Sequence, residues 1–524
     1  MSAAGEERTG RGALHVGAGI LGSRIVGLVR QRALAHYLGL SFAADAFNAA
    51  FRIPNFLQNL FGEGVLSASF IPVYARLLAE GKEEEAGRTA GAVLTLLALA
   101  TAVLVLLGML ATPLLIGLIA PGFQGDKRTL TIYLVRLLFP GAGLLVMSAW
   151  CLGVLNSHRR FLLSYSAPIA WNVSIIVALV LTGDRAEPST LAVAAAAGSV
   201  VGSALQLLVQ LPTVWRLVPT LTLSLGHGSQ HVRTVIANFV PVFIGRGVVQ
   251  ISAYVDTVIA SFLPGGAVAA LASAQVLYTL PVSLFGMSVS AAELPAMSSA
   301  TGSAEDVAAV LRARLALGLR RIAYLVVPSA VAFAALGDVV AAALFQTGRF
   351  SHDDALYVWG ILAGSAVGLL ASTLGRLYSS AFYALRDTRT PLRYAILRVA
   401  LTTALGLAFA LPLPKLLGVA PRWGAAGLTA SAGIAGWVEF WLLRRGLGER
   451  VGPVTVGASF LARLWTGAAL AAAAGYALKT AMAGMHPLEI AFFVLGAYGV
   501  LYFALTAAMG VAESRAAIAR AFRR

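Results

Sequence analysis

The sequence predicts an all-α polytopic membrane protein, on the grounds of composition, hydropathy and the period of its apolar runs. Of its 524 residues, 58% are hydrophobic and only 12% are charged, and the mean hydropathy is +0.81. Soluble proteins average roughly 25% charged residues. The apolar runs are long and follow a helical period, which favours a bundle of helices over a β-barrel.

The chain has room for about 14 transmembrane helices of about 20 residues each. The apolar runs place these spans near residues 13–40, 44–78, 88–120, 130–156, 160–182, 190–214, 234–263, 266–298, 310–344, 354–384, 391–411, 423–443, 456–479 and 486–510.

The spans divide into two predicted pseudo-symmetric lobes of six helices and two extra C-terminal helices. A polar cytoplasmic linker, residues 215–233, separates the N-lobe (1–214) from the C-lobe (234–450), and residues 451–524 hold the two extra spans and a basic tail. Features of span two recur in span eight at an offset of roughly 225 residues, a weak repeat typical of transporters with two equivalent bundles.

Lysine and arginine are distributed unevenly between the predicted sides of the membrane. With a cytoplasmic N-terminus, 23 of them lie on the cytoplasmic side and 7 on the outer side. This positive-inside bias supports an even number of spans, with both termini in the cytoplasm. It also explains the net charge of +16 without a nucleic-acid partner. The first apolar run is not a cleavable signal, because Ser23, Arg24 and Arg30 interrupt it.

A polar stripe in the second span is the strongest functional signal. Its members recur every three or four residues, which places them on one face of a helix. A charge at the bilayer centre costs at least about 2.5 kcal/mol, so the stripe is expected to line a wet cavity or a protein interior. That arrangement indicates transport of a polar substrate. The stripe consists of Asp45, Asn48, Arg52, Asn55, Asn59 and Gly62.

Nine arginines lie within predicted spans. Arg24, Arg30 and Arg52 belong to the two most polar spans, and we expect them to border the cavity. For five others, near helix ends, extension towards the membrane surface is an equally good explanation. These five are Arg32, Arg136, Arg376, Arg398 and Arg463.

The sequence gives little support for catalysis or metal binding. There is no phosphate-binding GxxxxGK[ST] loop, no HExxH motif and no cysteine pair, since Cys151 is the only cysteine. The run from His352 to Asp354 is better explained by helix capping than by a metal site. The sequence therefore favours a transporter without ATPase activity, while an intramembrane transferase or a scaffold stays open as a third class of function.

Four blocks of sequence, in order across nearly the whole chain, carry a family resemblance. They are SRIVGLVRQRALAHYLGLSFAADAFNAAFRIPNFLQNLFGEGVLSASFIPVYA (23–75), VLNSHRRFLLSYSAPIAWNVSII (154–176), LFQTGRFSHDDA (344–355) and AFYALRDTRTPLRYAI (381–396). Together they resemble the MurJ/MviN family, the lipid II flippases of bacterial cell-wall synthesis.

The resemblance implies a fold, a substrate and a location. The implied fold is that of the multidrug/oligosaccharidyl-lipid/polysaccharide exporters, with a groove between the two extra helices for the lipid tail. The implied substrate is a disaccharide-pentapeptide on a polyprenyl pyrophosphate, flipped to the outer leaflet of the bacterial inner membrane by alternating access. Cell-wall synthesis proteins are possible partners, and no cofactor is expected.

The resemblance, together with the chemistry of such a head group, predicts roles within the first lobe. Arg24, Arg30 and Arg52 are expected to bind the diphosphate, with Ser23 in the same polar helix. The sugars are expected to contact Asn48, Asn55 and Asn59. A gate or hinge role falls to Asp45, Gly62 and Glu63. The carboxylates of Asp45 and Glu63 would pair with arginine when one side is closed.

Two departures from the family pattern leave the cargo open. Gln275-Val276 stands where the family usually carries Asp-Arg, and Gln58 stands where many members carry an arginine. Arg246 is a candidate substitute for the missing cation. The alternative functions are therefore a flippase for another lipid-linked oligosaccharide or a drug exporter of the same superfamily.

The driving force is expected to be the membrane potential, with a dependence on sodium left open. Asp256 is the natural carboxylate for a sodium site, because it lies within a span. The eleventh span offers Arg398 and Thr402 rather than further carboxylates. An Asp256–Arg398 ion pair is therefore the preferred prediction.

Overall fold

The computed structural model describes residues 3–61, 63–226, 228–252 and 254–521 as helices joined by short connections. Side-chain surroundings are described within these ranges except at residues 3–18, 20, 54, 63, 244–252 and 521. The predicted hinge residue Gly62 therefore lies outside the described residues, as do the side chains of Glu63 and Arg246. The chain forms two compact units, which are described separately below.

Unit 1 comprises residues 1–268 together with the tripeptide Thr347–Arg349. Its helices are α1 (Ala3–Leu38), α2 (Phe42–Phe61), α3 (Glu63–Ala79), α4 (Glu83–Leu110), α5 (Thr112–Ile119), α6 (Gly125–Ser157), α7 (Phe161–Ser166), α8 (Pro168–Thr182), α9 (Pro188–Leu217), α10 (Gln230–Ser252) and α11 (Val255–Ser261).

The 33-residue helix α6 forms the centre of unit 1. It packs against α2, α3, α4 and α9, and α1 packs against α7 and α8. Large side chains of α6, among them Trp150, Leu138 and Leu145, are almost completely buried between these neighbours. Their dispersion contacts hold the bundle in a membrane, where the surrounding lipid is as apolar as the core.

Unit 2 comprises residues 269–346 and 350–524. Its helices are α12 (Ala267–Pro281), α13 (Ser288–Ser298), α14 (Ala304–Ala335), α15 (Gly337–Phe345), α16 (His352–Ala384), α17 (Arg389–Ala410), α18 (Pro412–Leu416), α19 (Gly424–Val451), α20 (Ala458–Ala481), α21 (Pro487–Ala508) and α22 (Ala512–Ala521).

A second 33-residue helix, α16, forms the centre of unit 2. It packs against α14, α15 and α19, while α20 packs against α14 and α21. The run from His352 to Asp354 has the predicted capping role: Asp354 N–H donates to Ser351 Oγ at 3.2 Å, and Asp354 Oδ2 accepts from Ser351 N–H at 2.9 Å. This reciprocal pair satisfies two backbone donors at the start of α16.

The long helix of the predicted eighth span changes its winding near a proline. Between α12 and α13 the backbone forms a π-helix over Val282–Met287, directly after Pro281. Proline lacks a backbone N–H and disturbs the regular ladder, and π-helical turns concentrate at functional sites. The regular α-helical ladder is thus interrupted directly after Pro281.

Ten helices within the described residues are long and apolar enough to cross a membrane, and they coincide with ten of the fourteen predicted spans. The fold class is thus confirmed, and the exact number of spans stays a prediction. The other four spans are those near residues 13–40 (α1), 44–78 (α2 and α3), 234–263 (α10 and α11) and 456–479 (α20).

The boundary between the compact units lies beyond the predicted inter-lobe linker. Helix α10 follows the linker 215–233, yet it packs against α3 and α2 and so belongs to unit 1. The predicted lobes, 1–214 and 234–450, concern internal symmetry rather than packing, and they stay a prediction.

Candidate functional site

The polar stripe of α2 passes from a buried to an exposed environment along the helix. Asp45 is fully buried, Arg52 and Asn55 are half-buried, and Asn59 is exposed. Most of the intervening apolar side chains of α2 are buried, and α2 packs against α6 and α9. The polar stripe therefore lies on a different face of α2 from the apolar residues that pack against α6 and α9, as the helical spacing predicts.

Arg30 of α1 lies against an aromatic pair. Its guanidinium carbon is 5.0 Å from the ring centre of Trp171 and 5.6 Å from that of Phe51. The two rings stack on each other at 5.5 Å with an interplanar angle of 14°. The indole N–H of Trp171 donates to Ser199 Oγ at 3.1 Å, which fixes the ring against α9. Three helices thus cooperate to hold one guanidinium group, through contacts that favour a cation.

The hydrogen-bonding capacity of Arg30 is only partly used. Its Nε is buried and has no hydrogen-bond partner among the described residues, and one Nη donates to Gln31 Oε1 at 3.5 Å. An unsatisfied buried donor costs about 1–3 kcal/mol. An anion at this position would remove that cost, because arginine offers two parallel donors to a phosphate.

Asp45 forms a buried ion pair with Lys127, which lies in the first turn of α6. Lys127 Nζ lies 2.5 Å from Asp45 Oδ2, and the same oxygen accepts a hydrogen bond from Gly266 N–H at 2.7 Å. Lys127 also lies over the ring of Phe123, 4.0 Å from its centre. A gate role for Asp45 was expected to involve arginine, and the cation described here is a lysine.

Arg52 interacts with α11 and with Tyr254, the residue that precedes α11. Tyr254 Oη donates to the backbone oxygen of Arg52 at 2.9 Å, and the charge of Asp256 acts on the Arg52 side chain. Within α2, Asn48 Nδ2 donates back to the carbonyl of Ala44 at 2.8 Å. The Arg30–Phe51 contact places Arg30 against the helix turn that carries Arg52.

The remaining first-helix candidates have a more open setting. Arg24 is exposed and Ser23 is half-buried. Within the described part of the chain, Arg24 has neither a hydrogen-bond nor an ion-pair partner. The structure therefore supports its availability to a ligand without bringing it to the aromatic pair that holds Arg30.

The two members of the predicted Asp256–Arg398 pair each have another opposite charge nearby. Arg398 Nε lies 3.3 Å from Glu439 Oε2 within unit 2. Within unit 1, Asp256 interacts electrostatically with Arg52. Glu439 is largely buried, with 15% of its side chain exposed. The predicted pair would join the two units and stays a prediction, as does a sodium site at Asp256.

Residues Thr347–Arg349, from the resemblance block 344–355, form a tightly packed turn in unit 1. Arg349 N–H donates to the carbonyl of His36 at 2.8 Å, and its guanidinium donates to the carbonyl of Asp184 at 2.8 Å. Gly348 has φ +53°, and a Cβ there would lie 2.5 Å from the His36 carbonyl oxygen. The glycine is thus required both by its left-handed backbone and by the lack of space.

Comparison with known proteins identifies the family. A family model described as lipid II flippase MurJ matches residues 34–504. The chain belongs to the lipid II flippase MurJ family. The lipid II flippase MurJ of Burkholderia cenocepacia is 32% identical over 434 residues, covering 82% of this chain and 81% of the relative. A probable lipid II flippase MurJ of Rhizobium meliloti is 31% identical, covering 82% and 78%.

Solved structures show the same fold. A lipid II flippase MurJ in an inward closed conformation has a TM-score of 0.75 at 22% identity, covering 94% of this chain and 98% of that one. An inward-facing multidrug resistance transporter of the MATE family has a TM-score of 0.65 at 17% identity, covering 81% and 95%. The chain is thus a multi-pass membrane protein with the MurJ fold.

Family membership does not by itself assign the site. The matched range begins at residue 34 and includes Asp45 and Arg52, but it follows Ser23, Arg24 and Arg30. Sequence reasoning identified Arg30 from its charge within a span. It did not identify Trp171 or Lys127 as site residues. For Trp171 the available signal was an aromatic residue within a resemblance block, since aromatic rings often support buried cations.

Proposed function

We propose that this protein flips lipid II from the cytoplasmic to the outer leaflet of the bacterial inner membrane, for cell-wall synthesis. The family supports this substrate. The observation that carries the proposal is the guanidinium of Arg30, which two stacked rings hold in place while its buried Nε has no partner among the described residues. Such a group is prepared to bind a diphosphate.

The proposed roles divide the head group between charged and neutral side chains. Arg30, Arg24 and Arg52 bind the diphosphate, because guanidinium groups form strong paired hydrogen bonds with phosphate oxygens. The amides of Asn48, Asn55 and Asn59 contact the sugars. The lipid tail stays in the bilayer, so that only the polar head crosses. Asp45, Gly62 and Glu63 take part in gating during alternating access.

The proposed driving force is the membrane potential. Moving one charge through 100 mV is worth about 2.3 kcal/mol, and a cavity that carries several arginines responds to such a field. The positive-inside bias supports cytoplasmic termini, which sets the direction of the field relative to the site. A sodium requirement at Asp256 remains the alternative, and transport by Asp256→Asn with and without sodium distinguishes the two.

Transport in proteoliposomes and rescue of flippase-depleted cells test the proposal together. We expect wild type to rescue growth and to move fluorescent lipid II, and Arg30→Ala to lose at least roughly tenfold in rate, because one charge-assisted contact is worth about 1.5–3 kcal/mol. Arg136→Ala is the matched control: its Nε donates to the carbonyl of Met109 and its side chain is exposed. Full activity of the Arg24, Arg30 and Arg52 alanine variants would contradict the proposed site.

Another lipid-linked oligosaccharide is the second candidate cargo. Gln275, which replaces an expected charge of the family pattern, is exposed and its amide donates to Thr279 Oγ1 at 3.1 Å. A neutral side chain here indicates altered recognition in the second lobe. Competition between lipid II and a polyprenyl-pyrophosphate oligosaccharide without a peptide, in the same proteoliposomes, decides which cargo is preferred.

A further inference from the structure

A basic pocket of about 360 Å³ lies in unit 2 at the C-terminal end of α19, away from the residues of the proposed transport site. It is formed by the last turns of α19 and by the connection that leads to α20. Its lining residues are Trp441, Arg444, Arg445, Gly448, Glu449, Pro453 and Val454.

The connection that forms one wall of the pocket is held in place by side chains from other helices. Tyr378 Oη of α16 donates to the carbonyl of Val454 at 2.7 Å. Arg312 of α14 donates to the carbonyl of Val451 at 2.9 Å. These bonds fix both ends of the turn around Gly452, which has φ +88°. The pocket is therefore preformed and does not need to order on binding.

The two arginines of the pocket are available to an anion. Arg445 Nε lies 3.4 Å from Glu449 Oε1, and both side chains are about two-thirds exposed, so this ion pair is weak and exchangeable. Arg445 also lies over the ring of Trp441, 5.6 Å from its centre. Arg444 is exposed and forms no ion pair within the described part of unit 2.

The position of Trp441 indicates a lipid rather than a dissolved ion. Its side chain is 53% exposed and lies one turn inside Arg445 on a helix long and apolar enough to span a membrane. Tryptophan concentrates at the level of the lipid headgroups, and the charge bias places this end of α19 on the cytoplasmic side. Basic pockets between spans on that side bind anionic headgroups.

We propose that this pocket binds the phosphate of an anionic glycerophospholipid from the inner leaflet. Arg444 and Arg445 bind the phosphate oxygens, and Trp441 packs against the glycerol and the first part of the acyl chains. The bound lipid would connect the end of α19 to the turn before α20, and so would stabilise the junction between the C-lobe and the two extra helices.

Quenching of Trp441 by brominated lipids tests the proposal independently of transport. The full-length protein is reconstituted with brominated phosphatidylglycerol or brominated phosphatidylcholine, and the signal of Trp441 is the difference between wild type and Trp441→Phe, because the chain has eight tryptophans. We expect preferential binding of phosphatidylglycerol, by roughly fivefold for each arginine. The preference should fall to about one in Arg444→Gln/Arg445→Gln.

The control variant removes the same charge elsewhere. Arg389→Gln/Arg393→Gln takes two exposed arginines from α17, outside the pocket, and should keep the preference. If the pocket variant does not fold, Arg444→Gln alone keeps the test available, since Arg444 has no described ion pair to lose. Equal quenching by both lipids in wild type, or loss of the preference on adding inorganic phosphate alone, would overturn the proposal of a lipid ligand.

Discussion

Several cations in this protein lie over aromatic rings, and Lys127 and Arg320 each have a carboxylate partner as well. Arg30 lies over Trp171 and Phe51, Lys127 over Phe123, and Arg320 over Phe460 at 4.1 Å. A ring stabilises a cation without neutralising it, whereas a carboxylate competes with an incoming anion. For a site that is to bind a diphosphate, an aromatic support is therefore the better solution.

The aromatic support of Arg30 predicts a positioning role for Trp171. Trp171→Ala should reduce lipid II flipping by roughly thirtyfold through a weaker Arg30 contact, because a desolvated cation–π contact is worth about 2 kcal/mol. Trp171→Phe keeps a ring and should retain most of the activity. The measurement is flipping rate against lipid II concentration, with expression and melting temperature as checks on folding. Equal loss in both variants, or in neither, would contradict the role.

Lys127 and Asp45 provide a second prediction. Removing one partner of a buried ion pair leaves an uncompensated charge and costs about 3 kcal/mol or more. Lys127→Met should therefore lower stability markedly, and Asp45→Asn/Lys127→Met should recover part of the loss. Unfolding of wild type, Lys127→Met, Asp45→Asn and the double variant in mixed micelles completes the double-mutant cycle. Purely additive losses would show that the two side chains do not interact.

At the scale of single elements, the fourth resemblance block has a structural explanation. Asp387 Oδ1 accepts from Arg389 N–H at 2.9 Å and from Thr390 N–H at 3.0 Å, which caps the start of α17. Its other oxygen lies 2.7 Å from Arg450 Nη2 at the end of α19. One carboxylate thus begins one helix and connects it to another.

This arrangement predicts how acid affects the Asp387 contact. The hydrogen bonds from the Thr390 side chain and backbone, with the nearby Arg450 charge, hold the pKa of Asp387 well below its ordinary value of 3.8. A lowered pKa means that the stabilisation is complete above about pH 4 and is lost as the pH falls below that value. At pH 7, Asp387→Ala should cost about 1 kcal/mol.

Melting curves of wild type, Asp387→Ala and Asp387→Asn between pH 7 and pH 3 check this prediction. Asparagine caps helices as well as aspartate does, so Asp387→Asn should lose only the contribution of the charge. The gap between wild type and Asp387→Asn should narrow as the pH falls below about 4, because the unfolded chain then takes up the proton first. A gap that is constant across this range would rule out the ionised carboxylate as its cause.

For the whole molecule, the fold could be predicted from the sequence far better than the site. Apolar length and helical period are determined by the bilayer, so ten of the predicted spans coincide with described helices. The contacts of Arg30 and Asp45 could not be predicted, because Trp171 and Lys127 are about 140 and 80 residues away from them in the chain and look like packing and loop residues. Tertiary proximity has no local signal in one sequence.

The span number and orientation give the last prediction. With fourteen spans and cytoplasmic termini, Ser224 and Ala516 face the cytoplasm, and Ala483, between α20 and α21, faces outward. All three are exposed, whereas the single native Cys151 is buried. In a Cys151→Ser background, a membrane-impermeant thiol reagent applied to intact spheroplasts should label Ala483→Cys and not Ser224→Cys or Ala516→Cys. Lysed membranes should label all three, because each position is accessible from its own side. Labelling of Ser224→Cys and Ala483→Cys from the same side would require a different number of spans between them, and would remove the orientation on which the proposed direction of transport depends.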